Sequence, residues 1–256
     1  MEYSGLYFIP TPTAQPADSS TTASTLISSL ETHFHTLTRS TPWALTYRLF
    51  RDTPPRSFSD LSGDPTPFAH TYQHFLTHTS LSQNRAYIHF APPPNSNKGS
   101  GSVAAIPAQQ SDAQALLLRT QLAALWSPRH TLSVQNGATY TGGSFTVQIG
   151  EVRALREAQG GGVSSPGVVV CISTIAGGEE SDTAGNGTGL NGNGEEKLDF
   201  GFVQATIREF WGKIKEGRDL GRAEVREAFM VPKEGGRSEE KDAVVRMWCD
   251  VLRLRG

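Results

Sequence analysis

The sequence predicts an α+β fold: an antiparallel sheet, strongly curved or closed into a β-barrel, with amphipathic helices packed on it. Three observations carry this. Residues 127–176 alternate apolar and polar side chains with a period of two, punctuated by glycine. Leu132 and Val134 lead to Asn136-Gly137, and Phe145, Val147 and Ile149 follow Gly142-Gly143. At Gly150 the apolar positions slip from odd to even, to Val152 and Ala154. A one-residue slip turns side chains to the other face, so Gly150 reads as a bulge or a barrel corner. Finally, separate stretches carry apolar residues three and four apart, the stripe of a helix that covers a sheet.

In chain order, residues 3–9 form a short aromatic and apolar strand stopped by Pro10 and Pro12. Asp18 or Ser19 caps a helix whose Ala23, Leu26, Ile27, Leu30, Phe34 and Leu37 make one stripe. Its other face is rich in Ser and Thr, a weak helix composition that needs tertiary packing to hold it. Residues 43–50 are a strand with Trp43, Leu45, Tyr47 and Leu49 on one face, and the proline-rich residues 51–67 a loop. Strands over 69–77 and 85–90 flank a polar turn at 80–84, with a flexible loop over 91–102 and a short strand at 103–106. Ser111 and Gln114 form a capping box opening a helix with Ala115, Leu118, Leu122, Leu125 and Trp126 on one face, ended by Pro128. The Gly- and Asn-rich insertion over 177–197 has nothing to bury and reads as disordered. Asp199 caps a helix carrying Val203, Ile207, Phe210, Trp211 and Ile214. A charged stretch over 215–236 precedes a last helix that starts at Ser238 and buries Val244, Val245, Trp248, Val251 and Leu252. The whole, residues 1–256, reads as one domain.

Composition excludes several classes. A net charge of −2 over 256 residues argues against a general nucleic-acid binder. Cys171 and Cys249 both sit in apolar patterns and read as buried hydrophobes, not a disulfide framework. The N-terminus lacks the basic and apolar regions of a signal peptide, and no apolar run reaches the roughly 20 residues of a membrane span. These features describe a soluble intracellular protein.

Candidate chemistry is sparse. His70, His74 and His78 stand four apart, which on a helix would suit a metal. Their neighbours Tyr72, Phe75, Thr77 and Thr79 favour a strand, where residues four apart are about 13 Å from each other, too far to share one ion. The expectation is polar residues on a half-exposed strand, with no metal. Gly187, Gly189 and Gly192 spell a dinucleotide-loop pattern, but inside a polar low-complexity segment with no preceding strand, so no cofactor is expected. Neither cysteine has a nucleophile motif around it. Glu151 is a lone acid near the Gly150 corner and reads as a solvated edge residue. Trp126, Trp211 and Trp248 fall on apolar helix faces, where core packing is the default. No catalytic constellation emerges, and interface aromatics look like core aromatics, so no interface residue is assigned.

The order of segments adds a resemblance. GLYFIP at 5–10 is followed by a helix, WALTYRLFRD at 43–52, and LLLRTQLAALWSPR at 116–129. GATYTGGSFTVQIGEVRAL at 137–155, GVVVCISTI at 167–175 and FVQATIREFWGKI at 202–214 complete the series. In order and spacing this resembles the family of subunit 20 of the Mediator complex, in a fungal form. The resemblance implies a non-enzymatic coactivator subunit in the nucleus, paired with Mediator subunit 18 in the head module. Through the complex it implies contact with other head subunits, the TATA-binding protein and RNA polymerase II, with no direct nucleic acid, membrane or cofactor. The family's barrel is similar in shape to fungal RNA triphosphatases, which need acidic pairs at inward strand positions. Here Phe145, Val147 and Ile149 fill one face and Thr146 and Gln148 the other. The alternatives are a β-barrel binder of a small apolar ligand, or an RNA triphosphatase-like enzyme resting on Glu151.

Overall fold

Period-two alternation becomes one antiparallel sheet in the computed structural model, which describes residues 2–11, 16–54, 68–93, 99–155, 164–175, 200–218, 220, 224–231 and 237–254. Its strands are β1 (Glu2–Pro10), β2 (Thr38–Arg39), β3 (Trp43–Asp52), β4 (Tyr72–His78), β5 (Arg85–Ala91), β6 (Ser102–Pro107), β7 (Trp126–Gly142), β8 (Phe145–Leu155), β9 (Ser164–Ile175) and β10 (Arg226–Phe229). The helices are α1 (Pro16–His33), α2 (Ser111–Thr120), α3 (Phe200–Lys215) and α4 (Arg237–Leu252). Strand order is β10-β1-β9-β8-β7-β3-β4-β5-β6, with β2 pairing β7 off this path. The end strands β10 and β6 do not pair, so the sheet is a half-barrel and not a closed barrel. Yet α4 touches β1 and β10 at one end and β4, β5 and β6 at the other. One helix reaches both only because the sheet curls around it.

The two faces follow from register. Tyr7, Val170 and Ile149 lie side by side across β1, β9 and β8, with Ala138 beyond them on β7. This convex face takes α1 and α3. Trp211 stacks on Tyr7 at 4.7 Å, and Phe210 stacks on Phe34 at 3.9 Å and on Phe145 at 4.7 Å. Ser29 donates to the Ile214 carbonyl at 2.6 Å, joining the two helices. Thr21, Thr22, Ser24 and Thr32, on the exposed face of α1, donate to carbonyls four residues back, which satisfies hydroxyls that compete with helix elsewhere. The concave face takes α4. There Trp248 lies 5.7 Å from Trp43 and 4.8 Å from His78.

Several expectations are corrected. α1 begins at Pro16, ahead of Asp18 and Ser19. Proline suits a first helical turn, where its missing N–H has no partner to lose, and Asp18 there complements the helix dipole. The helix ends at His33; Phe34 and Leu37 follow in a turn and still pack on the core. The capping box at Ser111 does not form. A 3-10 turn over Ala108–Gln110 runs straight into α2, and Gln110 at the cap is already helical at φ −87, ψ −11 with no side-chain cap. A capping hydroxyl needs an extended backbone at its own residue. α2 stops at Thr120, so Leu122 and Trp126 leave the helix, although both join Phe50, Phe75 and Leu118 in a second apolar cluster. Pro128 lies within β7 opposite Phe50, at a register shift, where a strand tolerates the missing N–H.

Asn136-Gly137 is not a turn either. β7 runs through it, and residues 134–137 face only residues 150–152 of β8 between the pairs Ser133↔Arg153 and Ala138↔Ile149. The extra residue is a bulge, with Asn136 at φ 55. Gly150 itself pairs regularly with Val169; the shift in that ladder lies between Val152 and Ala154. What Gly150 supplies is room. A Cβ there would lie 2.5 Å from Val134 Cγ1 and 2.8 Å from the Trp43 ring, and one on Gly137 would enter the same indole. Trp43 fills the slot and donates its Nε1–H to the Ala138 carbonyl at 3.2 Å.

Two strands were not expected. β2 is two residues long, and β10 lies in the charged stretch, pairing the edge of β1 with Leu6 opposite Ala228. Arg51 and Asp52 belong to β3, Ala91 to β5 and Ser102 to β6, which shortens the loops over 51–67 and 91–102. Most of the first loop, the middle of the second, Asp199 and the whole of 177–197 lie outside the described residues, as does the Ser238 side chain.

This packing predicts the effect of three substitutions on stability. Gly150→Val overpacks the Trp43 slot and lowers unfolding free energy by about 1–3 kcal/mol in urea denaturation. Gly143→Asn sits at φ +57 in open space, where Asn tolerates the left-handed backbone, and changes stability far less. Trp248→Ala leaves a cavity between α4 and the sheet and costs about 3–5 kcal/mol by the same measurement.

Candidate functional site: a buried histidine, tyrosine and cysteine cluster

The polar residues of the concave face converge under α4. In β3, Trp43, Leu45, Tyr47 and Leu49 point one way, and register places His78, Leu76 and His74 of β4 beside Leu45, Tyr47 and Leu49. His74 in turn stands opposite His89 of β5, and Leu49 opposite His130 of β7. The alternation of four strands therefore aims His74, His78, His89 and His130 at one helix.

His74 and His78 are each 1% exposed, so the strand is as expected but its histidines are interior and not half-exposed. The polarity is absorbed by α4 and by partners within the face. His70 precedes β4, half-buried, and its Nδ1 lies 2.8 Å from the Asp52 carboxylate. His78 stacks on Trp43 at 4.9 Å, and its Nδ1 accepts the Ser80 N–H at 3.3 Å. His74 shares a 2.8 Å hydrogen bond between Nδ1 and the Tyr47 hydroxyl, which also reaches the Cys249 carbonyl at 3.5 Å. His89 donates from Nε2 to the Ser100 carbonyl at 3.1 Å, and His130 from Nε2 to the Leu252 carbonyl at 3.0 Å. Ligand atoms of His74, His89 and Cys249 lie within 4.8 Å of one another. The sequence spacing of His70, His74 and His78 hid this set, because the residue opposite His74 comes from the next strand. Only the pairing of β4 with β5 reveals it.

Burial keeps the cluster uncharged. It pushes the pKa of His78 down to about 4 and lowers those of His74, His89 and His130. For His74 the neighbouring His89, Arg253 and His130 add to the effect. Burial also raises the Tyr47 phenol and the Cys249 thiol well above their ordinary values. A groove of about 400 Å³ opens beside the cluster, at the seam of the half-barrel, with His89, Ser100, Phe229, Met247 and Asp250 on its walls.

The other candidates are placed elsewhere. Glu151 is in the central strand β8, not at an edge. On the convex side it accepts from Ser19 Oγ at 2.9 Å and from Arg153 at 3.0 Å. Cys171 is buried on the concave face, its thiol pushed up to about 12 by burial. Trp211 and Trp248 are core residues, whereas Trp126 opens β7 and is half-buried. Gly187, Gly189 and Gly192 lie outside the described residues. No helix among the described residues is long and apolar enough to cross a membrane.

Comparison with known proteins gives one family. Residues 1–242 match the family model described as the TATA-binding related factor of subunit 20 of the Mediator complex. No curated protein sequence matches the chain. Among solved structures, similarity extends to a conserved hypothetical protein from Pyrococcus furiosus, at 11% identity and TM-score 0.39 over 84% of this chain and 90% of that one. A protein from Pyrococcus horikoshii OT3 gives 11% and 0.38 over 88% and 93%. A chain of the Schizosaccharomyces pombe Mediator head module gives 11% and 0.34 over 84% and 92%.

The lowered histidine pKa values fix the sign of a pH effect. Between pH 6.5, the ordinary histidine value, and about 4, His78 takes up a proton only on unfolding. Stability from this group is therefore full above pH 6.5 and lost as pH falls through that window. The loss from His78 alone is on the order of 3 kcal/mol, and His74, His89 and His130 act in the same direction. Urea midpoints measured from pH 7 to pH 4.5 are expected to fall steeply, and His78→Gln is expected to flatten the slope.

Proposed function

The chain belongs to the family of subunit 20 of the Mediator complex, and on that premise we propose that it acts as a non-enzymatic, architectural subunit of the head module. It pairs there with subunit 18, works in the nucleus, and meets the TATA-binding protein and RNA polymerase II through the assembled complex. The observation that carries this reading is the family match over residues 1–242, which takes in every strand and the first turn of α4. The edges of β6 and β10, which pair with no further strand among the described residues, and the groove at the seam offer surfaces of the kind an assembly subunit gives to its neighbours.

Two observations support this reading over its competitors. A small apolar ligand would need the interior of the curled sheet, where Trp43, Trp248, Val245 and Leu252 are packed without exposure beyond 1%. A triphosphatase would need acids facing that interior, and its one candidate, Glu151, is turned to the convex side and engaged by Ser19 and Arg153.

Co-expression with subunit 18 from the same organism tests the pairing. The two chains are expected to elute together in size-exclusion chromatography and to survive affinity capture of either one. Separate elution at low salt, with both chains folded, removes the proposed pair and leaves the family membership intact.

A further inference from the structure

We propose that His74, His89 and Cys249 bind a single soft-to-borderline closed-shell metal ion, of the zinc(II) or copper(I) class. The inference does not depend on the Mediator reading. Three donors of two chemistries come from three separate elements, β4, β5 and α4, and their ligand atoms already lie within 4.8 Å of one another. Donors around a tetrahedral ion at about 2.0–2.3 Å stand roughly 3.5 Å apart, so a shift of about 1 Å with a turn of the two imidazoles, now stacked at 5.1 Å and 26°, brings three of the four donors into place and leaves the fourth position to solvent.

The second, independent observation is the pair of nitrogens left over. Nε2 of His74 and Nδ1 of His89 are buried and without a hydrogen-bond partner, in side chains 1% and 6% exposed. Buried polar atoms in that state call for an explanation, an ion among them, and these two belong to facing members of the same donor cluster. The surrounding bonds prepare both for coordination. His89 keeps its proton on Nε2, donated to the Ser100 carbonyl, which leaves the Nδ1 lone pair free. With His74 donating from Nδ1 to Tyr47, and Tyr47 donating to the Cys249 carbonyl, Nε2 of His74 also carries a lone pair. Such outer hydrogen bonds fix tautomer and ring orientation in metal sites.

The donor set selects the metal class. Two imidazoles and a thiol, with no carboxylate among them, suit zinc or copper(I) and not magnesium or calcium. As the metal–sulfur bond forms, the Cys249 S–H proton leaves to solvent, and both histidines bind neutral. The site gains one negative charge from the thiolate against the charge of the ion, which offsets part of the cost of a buried cation. Arg246 and Arg253 oppose that cation, and Asp242 and Asp250 favour it. His89 and Asp250 both stand on the wall of the seam groove, which gives the ion its route in.

The experiment uses the reduced full-length chain stripped of metal, titrated separately with zinc(II), with copper(I) under a competing chelator, and with cobalt(II) as a spectroscopic stand-in for zinc. The expected result is one equivalent per chain in the zinc or the copper arm. Cobalt is expected to give sulfur-to-metal charge transfer together with tetrahedral visible bands. Cys249→Ser and His89→Gln lose the bound equivalent, Cys171→Ser retains it, and Tyr47→Phe weakens binding about 10- to 100-fold. If the first two variants fail to fold, the wild-type cobalt spectrum still decides. Absence of a sulfur-to-cobalt band, or binding that Cys249→Ser leaves unchanged, overturns the site, as does failure of both zinc and copper to bind.

Discussion

Seating α4 in the concave side of an unclosed sheet is the constraint on which the other features depend. A half-barrel exposes its inner wall unless something fills it, and here Trp248, Val245 and Leu252 do so with no more than 1% exposure. The contact is centred on Trp43, held between the bulge of β7 and the bare backbone at Gly150, stacked on His78 and tilted against Trp248. Large aromatic pairs of this kind contribute about 0.5–1.5 kcal/mol beyond their buried area. Because α4 touches both ends of the strand path, the same packing sets the curvature of the sheet. The glycines, the bulge and the indole are therefore one device.

That device has a polar consequence. Tyr47, His74, His78, His89 and His130 share the face that α4 covers, and burying a charge there would cost several kcal/mol per ion. The histidines accordingly stay neutral, each tied by one ring nitrogen to a neighbour. Two of those ties go to α4 carbonyls or through Tyr47 to one, so helix docking and histidine tautomer are coupled. A face built this way holds the helix by specific geometry as well as by apolar area.

Local pattern made much of the sheet legible. Alternation in 43–50 and 145–149 marks strands whose sides the structure confirms, and the stripes of α1, α3 and α4 mark helices that do pack on the sheet. The failures share a cause. Asn136-Gly137 carries the chemistry of a turn, yet Trp43, some 90 residues earlier in the chain, pairs opposite Gly137 and keeps the strand running. Ser111 carries the chemistry of a cap, yet the preceding 3-10 turn has already fixed its backbone. Four residues of β10 owe their strand form to the open edge of β1 and to Arg208, which bridges to Glu227 at 2.7 Å. In each case a partner distant in sequence overrides a local preference, as tertiary context commonly does.

The candidate cluster shows the same limit in sharper form. A spacing of four along β4 separates His70, His74 and His78, and it is no guide to what lies beside His74. The relevant neighbours come from strand register, which sets His89 across from it, and from the helix, which lowers Cys249 onto both. Register and docking also explain why the set is buried, since they are the interactions that form the core. Sequence spacing finds sites carried on one element. A site shared by two strands and a helix becomes visible only when the fold that closes over it is known.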